Sequence, residues 1–317
     1  MVEENIRMWD FAALASRRVT RPRISARPSY SLIITVVLLL SITVRLHAQT
    51  DAASALRSAG FSLKDKDQTI IEIGWGKAEW TPELWQRLPE LKDLTTLRGT
   101  AKCADTAALE VLTKLPKLES VYLNASTFDD AGFAVLARAP ALTSISLDHN
   151  QTFTGAGVSA LKSKANLRTL RFGGCMKFNV EGVKACGQLT QLESLQLHHV
   201  GVSDDDLKHL AGLVNLKSLF LSAQFNGRLS DAGLAPLPAL KNLETLKLAE
   251  MVLTADGLKQ LVALKALKTL TLEKIGITEQ DIAKLKVTLP DVKIEWTPAS
   301  ADDAAMAMKR HSQRKQP

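Results

Sequence analysis

Three of the six histidines of the chain lie in short polar segments that recur at a spacing of 25 residues. These segments are Asp148-His149, Gly173-Gly174 and His198-His199. Imidazoles and a carboxylate are groups that bind a divalent metal ion or an anion. If each segment ends a strand of one parallel sheet, the first and third lie about 10 Å apart. Three interpretations stay open: a metal site, a polar patch that binds a partner, and a solvated cluster.

Catalytic and cofactor signatures are absent from the sequence. It contains no G-x-S-x-G, no H-E-x-x-H, no phosphate-binding glycine loop and no C-x-x-C. The pair Gly173-Gly174 lacks the glycine spacing of a nucleotide-binding loop. We therefore predict a protein that is not an enzyme and that holds no cofactor or metal. A metal-dependent enzyme using His149, His198 and His199 is the alternative that the histidines leave open.

The elements that position these residues belong to a repeat with a period of 24 to 27 residues. Nine units start at Ile70, Leu94, Leu118, Leu142, Leu167, Leu192, Leu216, Leu243 and Leu267. Most units read L-x-x-L-x-L, a turn, a Ser, Thr or Asp, and then L-x-x-L. Alternation of leucine with polar residues places Leu195 and Leu197 on one face of a strand. Leu207 and Leu210 are three residues apart, so their side chains lie on one face of a helix. One unit cannot bury its apolar side, so stacked units must share one core.

The sequence resembles the leucine-rich repeat family over about residues 70–296, most closely its ribonuclease-inhibitor-like and cysteine-containing subclasses. With its N-terminal segment and the ending from Leu289 to Trp296, it is similar to exported bacterial members. The resemblance implies an α/β solenoid, with a curved parallel sheet on the concave side and helices on the convex side. Asn150 and Cys175 match the asparagine-or-cysteine position of the family, and Ser126 matches it loosely. Other units have an apolar residue there, so the polar ladder is incomplete.

The exposed middle positions of the predicted strands form a candidate binding surface. This central column is Arg98, Tyr122, Ser146, Arg171, Gln196, Phe220, Lys247 and Thr271. Strands about 4.8 Å apart give it a length of roughly 35 Å. Arg and Tyr are enriched at interface hot spots and Phe at interfaces, and an exposed Phe220 is unfavourable unless something covers it. We predict a protein or peptide ligand bound by Arg98, Tyr122, Asp148, His149, Arg171, Gln196, His198, His199, Phe220 and Lys247. A solvated face is the alternative.

The N-terminal segment predicts export. Five arginines between residues 17 and 27 precede an apolar run over residues 31–44. This run is shorter than the ~20 residues that span a bilayer. Residues 1–48 are therefore predicted to be a signal peptide cleaved after Ala48, or a signal anchor. Either places the protein outside the cytoplasm: secreted, periplasmic or at the cell surface. A cell-envelope structural protein, anchored in the membrane through residues 31–44, is the alternative function.

Charge and the chain ends complete the prediction. The net charge of +7 comes mostly from the two termini, so residues 49–298 are nearly neutral and no nucleic-acid partner is expected.

Residues 49–69 are predicted to form a helix and a hairpin that cap the repeat domain over residues 70–298. Trp75, Trp80, Trp85 and Trp296 are predicted to cover its two ends. Residues 299–317 lose the pattern and are predicted to be a disordered tail.

Overall fold

The computed structural model describes residues 34, 35, 37, 51–67, 69–74, 76, 78–223 and 228–314. The chain forms two compact units, Met1–Leu46 and His47–Pro317. In the first unit residues 34, 35 and 37 are helical, and the rest of the predicted signal segment through residue 48 lies outside the described residues. Trp75 and residues 224–227 of the longest repeat also lie outside them. Within the described part, no helix has both the length and the apolar character needed to cross a bilayer.

The second unit contains one sheet of eleven strands, arranged in the order of the chain. The strands are β1 (Ser62–Lys66), β2 (Thr69–Gly74), β3 (Thr96–Thr100), β4 (Ser120–Asn124), β5 (Ser144–Asp148), β6 (Thr169–Gly173), β7 (Ser194–His198), β8 (Ser218–Ser222), β9 (Thr245–Ala249), β10 (Thr269–Ile275) and β11 (Lys293–Pro298). β1 and β2 form an antiparallel hairpin, and every later pair is parallel. This architecture confirms the predicted α/β leucine-rich repeat solenoid.

The segments that return from one strand to the next are short helices, and more of them are 3₁₀ helices than α-helices. The α-helices among them are Pro82–Gln86, Gly132–Arg138, Val180–Gly187, Ala255–Leu258 and Glu279–Thr288, and a further α-helix, Ala301–Arg314, follows the last strand. The 3₁₀ helices are Leu88–Glu90, Ala108–Lys114, Ala156–Ser163, Asp204–Gly212, Asp231–Leu234, Leu237–Ala239 and Lys259–Ala263. A 3₁₀ helix rises about 2.0 Å per residue, so few residues suffice for the return path. Pro236 and Pro238 divide one return segment into two short turns.

The core lies between the sheet and these helices. The strand residues Leu123, Leu147, Leu197 and Leu248 are at most 1% exposed. Five fully buried phenylalanines form a continuous stack behind β4 to β6: Phe128, Phe133, Phe153, Phe172 and Phe178. The ring centroid of Phe153 lies 5.5, 5.1 and 5.9 Å from those of Phe128, Phe133 and Phe172. The stack therefore links three consecutive units through one residue.

Aspartates on the convex side join three of the return segments to the next unit, through Asp130, Asp204 and Asp231. Asp130 accepts hydrogen bonds from the backbone N–H of Thr154, Gly155 and Gly157 and from the Thr154 hydroxyl, at 2.7–3.0 Å. Burial alone would raise the pKa of Asp130, but these four donors together hold it below its ordinary value. Asp231 repeats the arrangement with the N–H and hydroxyl of Thr254. Polar contacts thus set the alignment of units whose cores are apolar.

The two ends of the sheet are covered. Residues 51–58 are helical and precede the β1–β2 hairpin. Trp80 is 3% exposed, with its ring centroid 4.3 Å from that of Phe61 and 5.5 Å from that of Trp85. At the other end Trp296 donates a hydrogen bond from Nε1 to the carbonyl of Ile275 at 3.3 Å. Trp80, Trp85 and Trp296 therefore pack at the ends of the stack, whereas the prediction for Trp75 lies outside the described residues.

The C-terminal segment corrects one prediction. Residues 299–317 were expected to be disordered, whereas Ala301–Arg314 is an α-helix. Its first turn is capped, because the Ser300 hydroxyl accepts a hydrogen bond from the N–H of Asp303 at 3.1 Å. Small residues let it pack closely: Ala307 is 3% exposed, and a Cβ on Gly276 would lie 3.1 Å from that of Ala304. The prediction failed because this segment lacks leucines and docks through alanines.

Candidate binding surface on the concave face

The central column exists as a row of in-register residues across eight strands. Each member pairs with the next, from Arg98 with Tyr122 to Lys247 with Thr271. The last residues of β4 to β8 form a second row on the same face: Asn124, Asp148, Gly173, His198 and Ser222. Asp148 and His198 therefore share the concave face with the central column.

His149 and His199 follow their strands and belong to a third row, which lies in the turns. Six residues at this turn position have a left-handed backbone: Ala125, His149, Gly174, His199, Glu250 and Lys274, with φ between 52° and 61°. This conformation is unfavourable for residues other than glycine. It is supported by backbone hydrogen bonds to the adjacent strand, such as that from His149 to the carbonyl of Gly173 at 2.7 Å. The turn row thus holds its side chains along one rim of the sheet.

Tyr122, Asp148 and Arg171 form the first side-chain cluster of the concave face. Asp148 is 7% exposed and accepts hydrogen bonds from Nε and Nη2 of Arg171 at 3.2 and 3.0 Å, and from the hydroxyl of Tyr122. The guanidinium also lies over the Tyr122 ring, 5.4 Å from its centroid. A Cβ on Gly173 would lie 2.2 Å from Oδ1 of Asp148, so glycine leaves the space that the carboxylate fills. Arg171 is consequently held in one orientation.

Glu250 organises a second cluster, which the sequence did not predict. Its carboxylate lies 2.6 Å from Nε2 of His199 and accepts hydrogen bonds from Lys274 at 3.0 Å and Ser222 at 3.2 Å. Burial would raise the pKa of Glu250, but the bonds from His199 and Lys274 hold it below its ordinary value. His199 and Glu250 are 51 residues apart. Ala223 occupies the intervening position of the turn row, where its N–H donates to the carbonyl of Ala249 at 3.2 Å.

Phe220 is half-buried by its own neighbours, which corrects the expected exposure of its ring. The ammonium of Lys247 lies 4.7 Å from the ring centroid, and the His198 ring is 5.3 Å away on the other side. His198 in turn stacks on His199 at 3.7 Å between centroids. Lys247 also forms an ion pair with Glu273 at 2.5 Å. Phe220 is therefore part of a packed surface and not an isolated apolar side chain.

The three histidines do not converge on one point. Nδ1 of His149 lies 2.9 Å from Oδ1 of Asn124, on the far side of the Gly173-Gly174 segment from His198. His199 instead contacts the carboxylate of Glu250 through Nε2. Among the residues that the structure describes, no group of three His, Cys, Asp or Glu side chains could hold a metal ion. The arrangement instead gives two hydrogen-bonded clusters joined through the central column.

Arg98 and Gln196 complete the predicted site residues. Arg98 lies near the N-terminal end of the column, where its Nε is 4.0 Å from Oε1 of Glu72. Gln196 lies between Arg171 and Phe220 and connects the two clusters along the column. These positions were predictable from the sequence, because side chains alternate between the two faces along each strand. Ser222, Glu250 and Lys274 were not predicted from the sequence. The only indication for Glu250 and Lys274 in the sequence is that they occupy the same position of the repeat as His149 and His199.

Comparison with known proteins adds two solved structures. No protein-family model matches the chain, and no curated protein matches it. An internalin C2 from Listeria monocytogenes is 22% identical, with a TM-score of 0.40, over 63% of this chain and 84% of its own. A second Listeria monocytogenes internalin is 20% identical, with a TM-score of 0.41, over 72% of this chain and 74% of its own.

Proposed function

We propose that the protein is a non-catalytic recognition module whose concave face binds a protein or peptide. The observation that carries the proposal is the fixed orientation of the side chains between β4 and β9. Arg171 is held by Asp148 and Tyr122, and His198 is held between His199 and Phe220. Side chains that are already ordered lose little entropy on binding. The parallel sheet beneath them supplies a rigid support.

The composition of the surface also favours a macromolecular partner. Aromatic rings and arginine are the side chains that most often carry interface binding energy, and here Tyr122, Arg171 and Phe220 lie in one row. The ion pairs of the face are internally balanced, as with Arg171–Asp148 and Lys247–Glu273. Such a surface does not attract polyanions strongly. It fits a folded protein or an extended peptide better than a nucleic acid.

The double variant Arg171→Ala/Phe220→Ala tests the concave face. Random peptides displayed on phage are selected for binding to the immobilised full chain. The affinities of the selected peptides are then measured by calorimetry. We expect the double variant to weaken binding by about a hundredfold, because two hot-spot side chains cost at least about 1–2 kcal/mol each. Lys208→Ala on the convex Asp204–Gly212 segment serves as the matched control and should leave affinity unchanged. Equal affinity for wild type and double variant, or no selected peptide, contradicts the proposal.

Export is part of the proposal and has a separate test. The full chain is expressed from its own start, and the N-terminus of the protein in each cell fraction is sequenced. We expect a mature chain that begins near Gln49 in the envelope or culture supernatant, since Ala48 ends the predicted cleavage site. An intact chain confined to the membrane fraction supports the anchored envelope protein instead. An intact chain in the cytosol contradicts export altogether.

A further inference from the structure

Three neighbouring side chains of the concave face keep hydrogen-bonding groups without a partner. Arg171 bonds to Asp148 through Nε and Nη2 only. Within the described part of the chain, no hydrogen bond reaches Nη1 of Arg171, the side-chain amide of Gln196 or the ring nitrogens of His198. His149 and His199, by contrast, each have a polar partner. The unpaired groups of Arg171, Gln196 and His198 therefore lie side by side on the face.

These three side chains are adjacent. Arg171 and Gln196 are paired in register on β6 and β7, and His198 follows Gln196 by two residues on the same face. Arg171 and His198 are then diagonal neighbours, with Cα atoms roughly 7–8 Å apart. Gly173, which pairs with His198, has no side chain, and the Asp148 carboxylate that orients Arg171 occupies the space beside it. Tyr122 and Phe220 border the group on either side.

We propose that Arg171, Gln196 and His198 bind the carboxylate of an aspartate or glutamate side chain of the partner. This inference rests on the proposed function and names the chemistry of its partner. Guanidinium and imidazolium donors form short, strong hydrogen bonds to carboxylate oxygens, and the amide of Gln196 supplies a third donor. Asp148 and Tyr122 orient Arg171 before the ligand arrives, as a specific anion site requires.

The local charge balance makes this binding depend on pH. The fixed charges near His198 are Arg171 and Asp148 on one side, and Glu250, Lys274 and Lys247 with its partner Glu273 on the other. Burial, His199 and Arg171 lower the pKa of His198, so it is mostly neutral at neutral pH in the absence of a ligand. A bound carboxylate favours the charged imidazole and raises that pKa. Binding is therefore coupled to uptake of a proton and strengthens as the pH falls.

The test uses small carboxylate probes and the isotopically labelled full chain. N-acetylglutamate methylamide is titrated in NMR experiments, with N-acetylglutamine methylamide as the matched neutral probe and N-acetylalanine as a terminal carboxylate. We expect the glutamate probe to shift the His198 ring resonances and to bind about three- to tenfold more tightly near pH 5.5 than near pH 7.5. His198→Gln should remove the pH dependence, and His209→Gln, on the convex Asp204–Gly212 segment, should leave it intact.

The outcomes separate this inference from the proposed function. Equal shifts from the glutamate and glutamine probes, or unchanged pH dependence in His198→Gln, overturn the carboxylate site even where selected peptides bind the concave face. Tighter binding of N-acetylalanine overturns its assignment to acidic side chains. Binding of the glutamate probe but not of the glutamine probe, with the pH dependence lost in His198→Gln, supports the carboxylate site. Failure of the peptide selection counts against the proposed function and leaves that measurement unchanged.

Discussion

Phe153→Ala is expected to lower the free energy of unfolding by about 3–5 kcal/mol, because it empties the centre of the phenylalanine stack. Phe153 is fully buried and contacts rings from the units before and after its own. Its removal leaves a cavity that the rigid sheet cannot close. The loss is a large part of the stability of an ordinary domain. Urea denaturation of the full chain, followed by circular dichroism, measures it.

Phe220→Ala is the matched control for this prediction. It removes the same atoms from a half-buried position on the concave face, where Lys247 and His198 cover the ring only partly. We expect it to cost about 1 kcal/mol, since exposed cation–π contacts contribute about 0.5–1 kcal/mol. Similar losses for the two variants would contradict the difference in burial between Phe153 in the core and Phe220 on the concave face.

Gly157→Ala is expected to cost about 2–3 kcal/mol through overpacking on the convex side. A Cβ at Gly157 would lie 1.9 Å from the carbonyl oxygen of Asp130, which is backbone and cannot rotate away. The shift would also disturb the hydrogen bond from the Gly157 N–H to the Asp130 carboxylate. Two adjacent units would therefore have to separate. The midpoint of urea denaturation measures the effect.

Gly74→Ala provides the comparison for Gly157→Ala. Gly74 is also in the repeat domain, but a Cβ there would meet Ser62 at 3.7 Å, which is ordinary van der Waals contact. We expect a change of less than about 0.5 kcal/mol. A loss at Gly74 as large as that at Gly157 would mean that the effect does not come from the close approach of neighbouring units.

The regular part of the fold was predictable because each unit repeats the same constraint. The alternation in Leu195-Gln196-Leu197 determines which side chains face the core, and the recurrence of this pattern in each unit then fixes the register of the strands. Nothing comparable constrains the return segments, where local hydrogen bonds decide between α and 3₁₀ geometry. The helix Ala301–Arg314 was missed for a similar reason, because it depends on contacts with Gly276 rather than on a periodic apolar pattern.

The sequence predicts which residues of the candidate site lie in the same row of the sheet, but not which side chains contact each other. The positions of Arg171, Gln196 and His198 follow from strand alternation, whereas their partners depend on side-chain reach. The contact between His199 and Glu250 joins residues that are 51 positions apart and belong to units that are not adjacent. The burial of Phe220 likewise depends on how Lys247 folds over its ring. Such contacts arise from particular side chains and not from the period of the repeat.

Site-specific photo-crosslinking tests the use of the concave face most directly. A photoreactive phenylalanine analogue is placed at Ser146, in the central column, or at Lys208, which is exposed on the convex side. Each full-length variant is irradiated with the peptide that binds most tightly. We expect the peptide to be captured at Ser146 and not at Lys208. Capture at Lys208 with none at Ser146 would contradict recognition through the concave face.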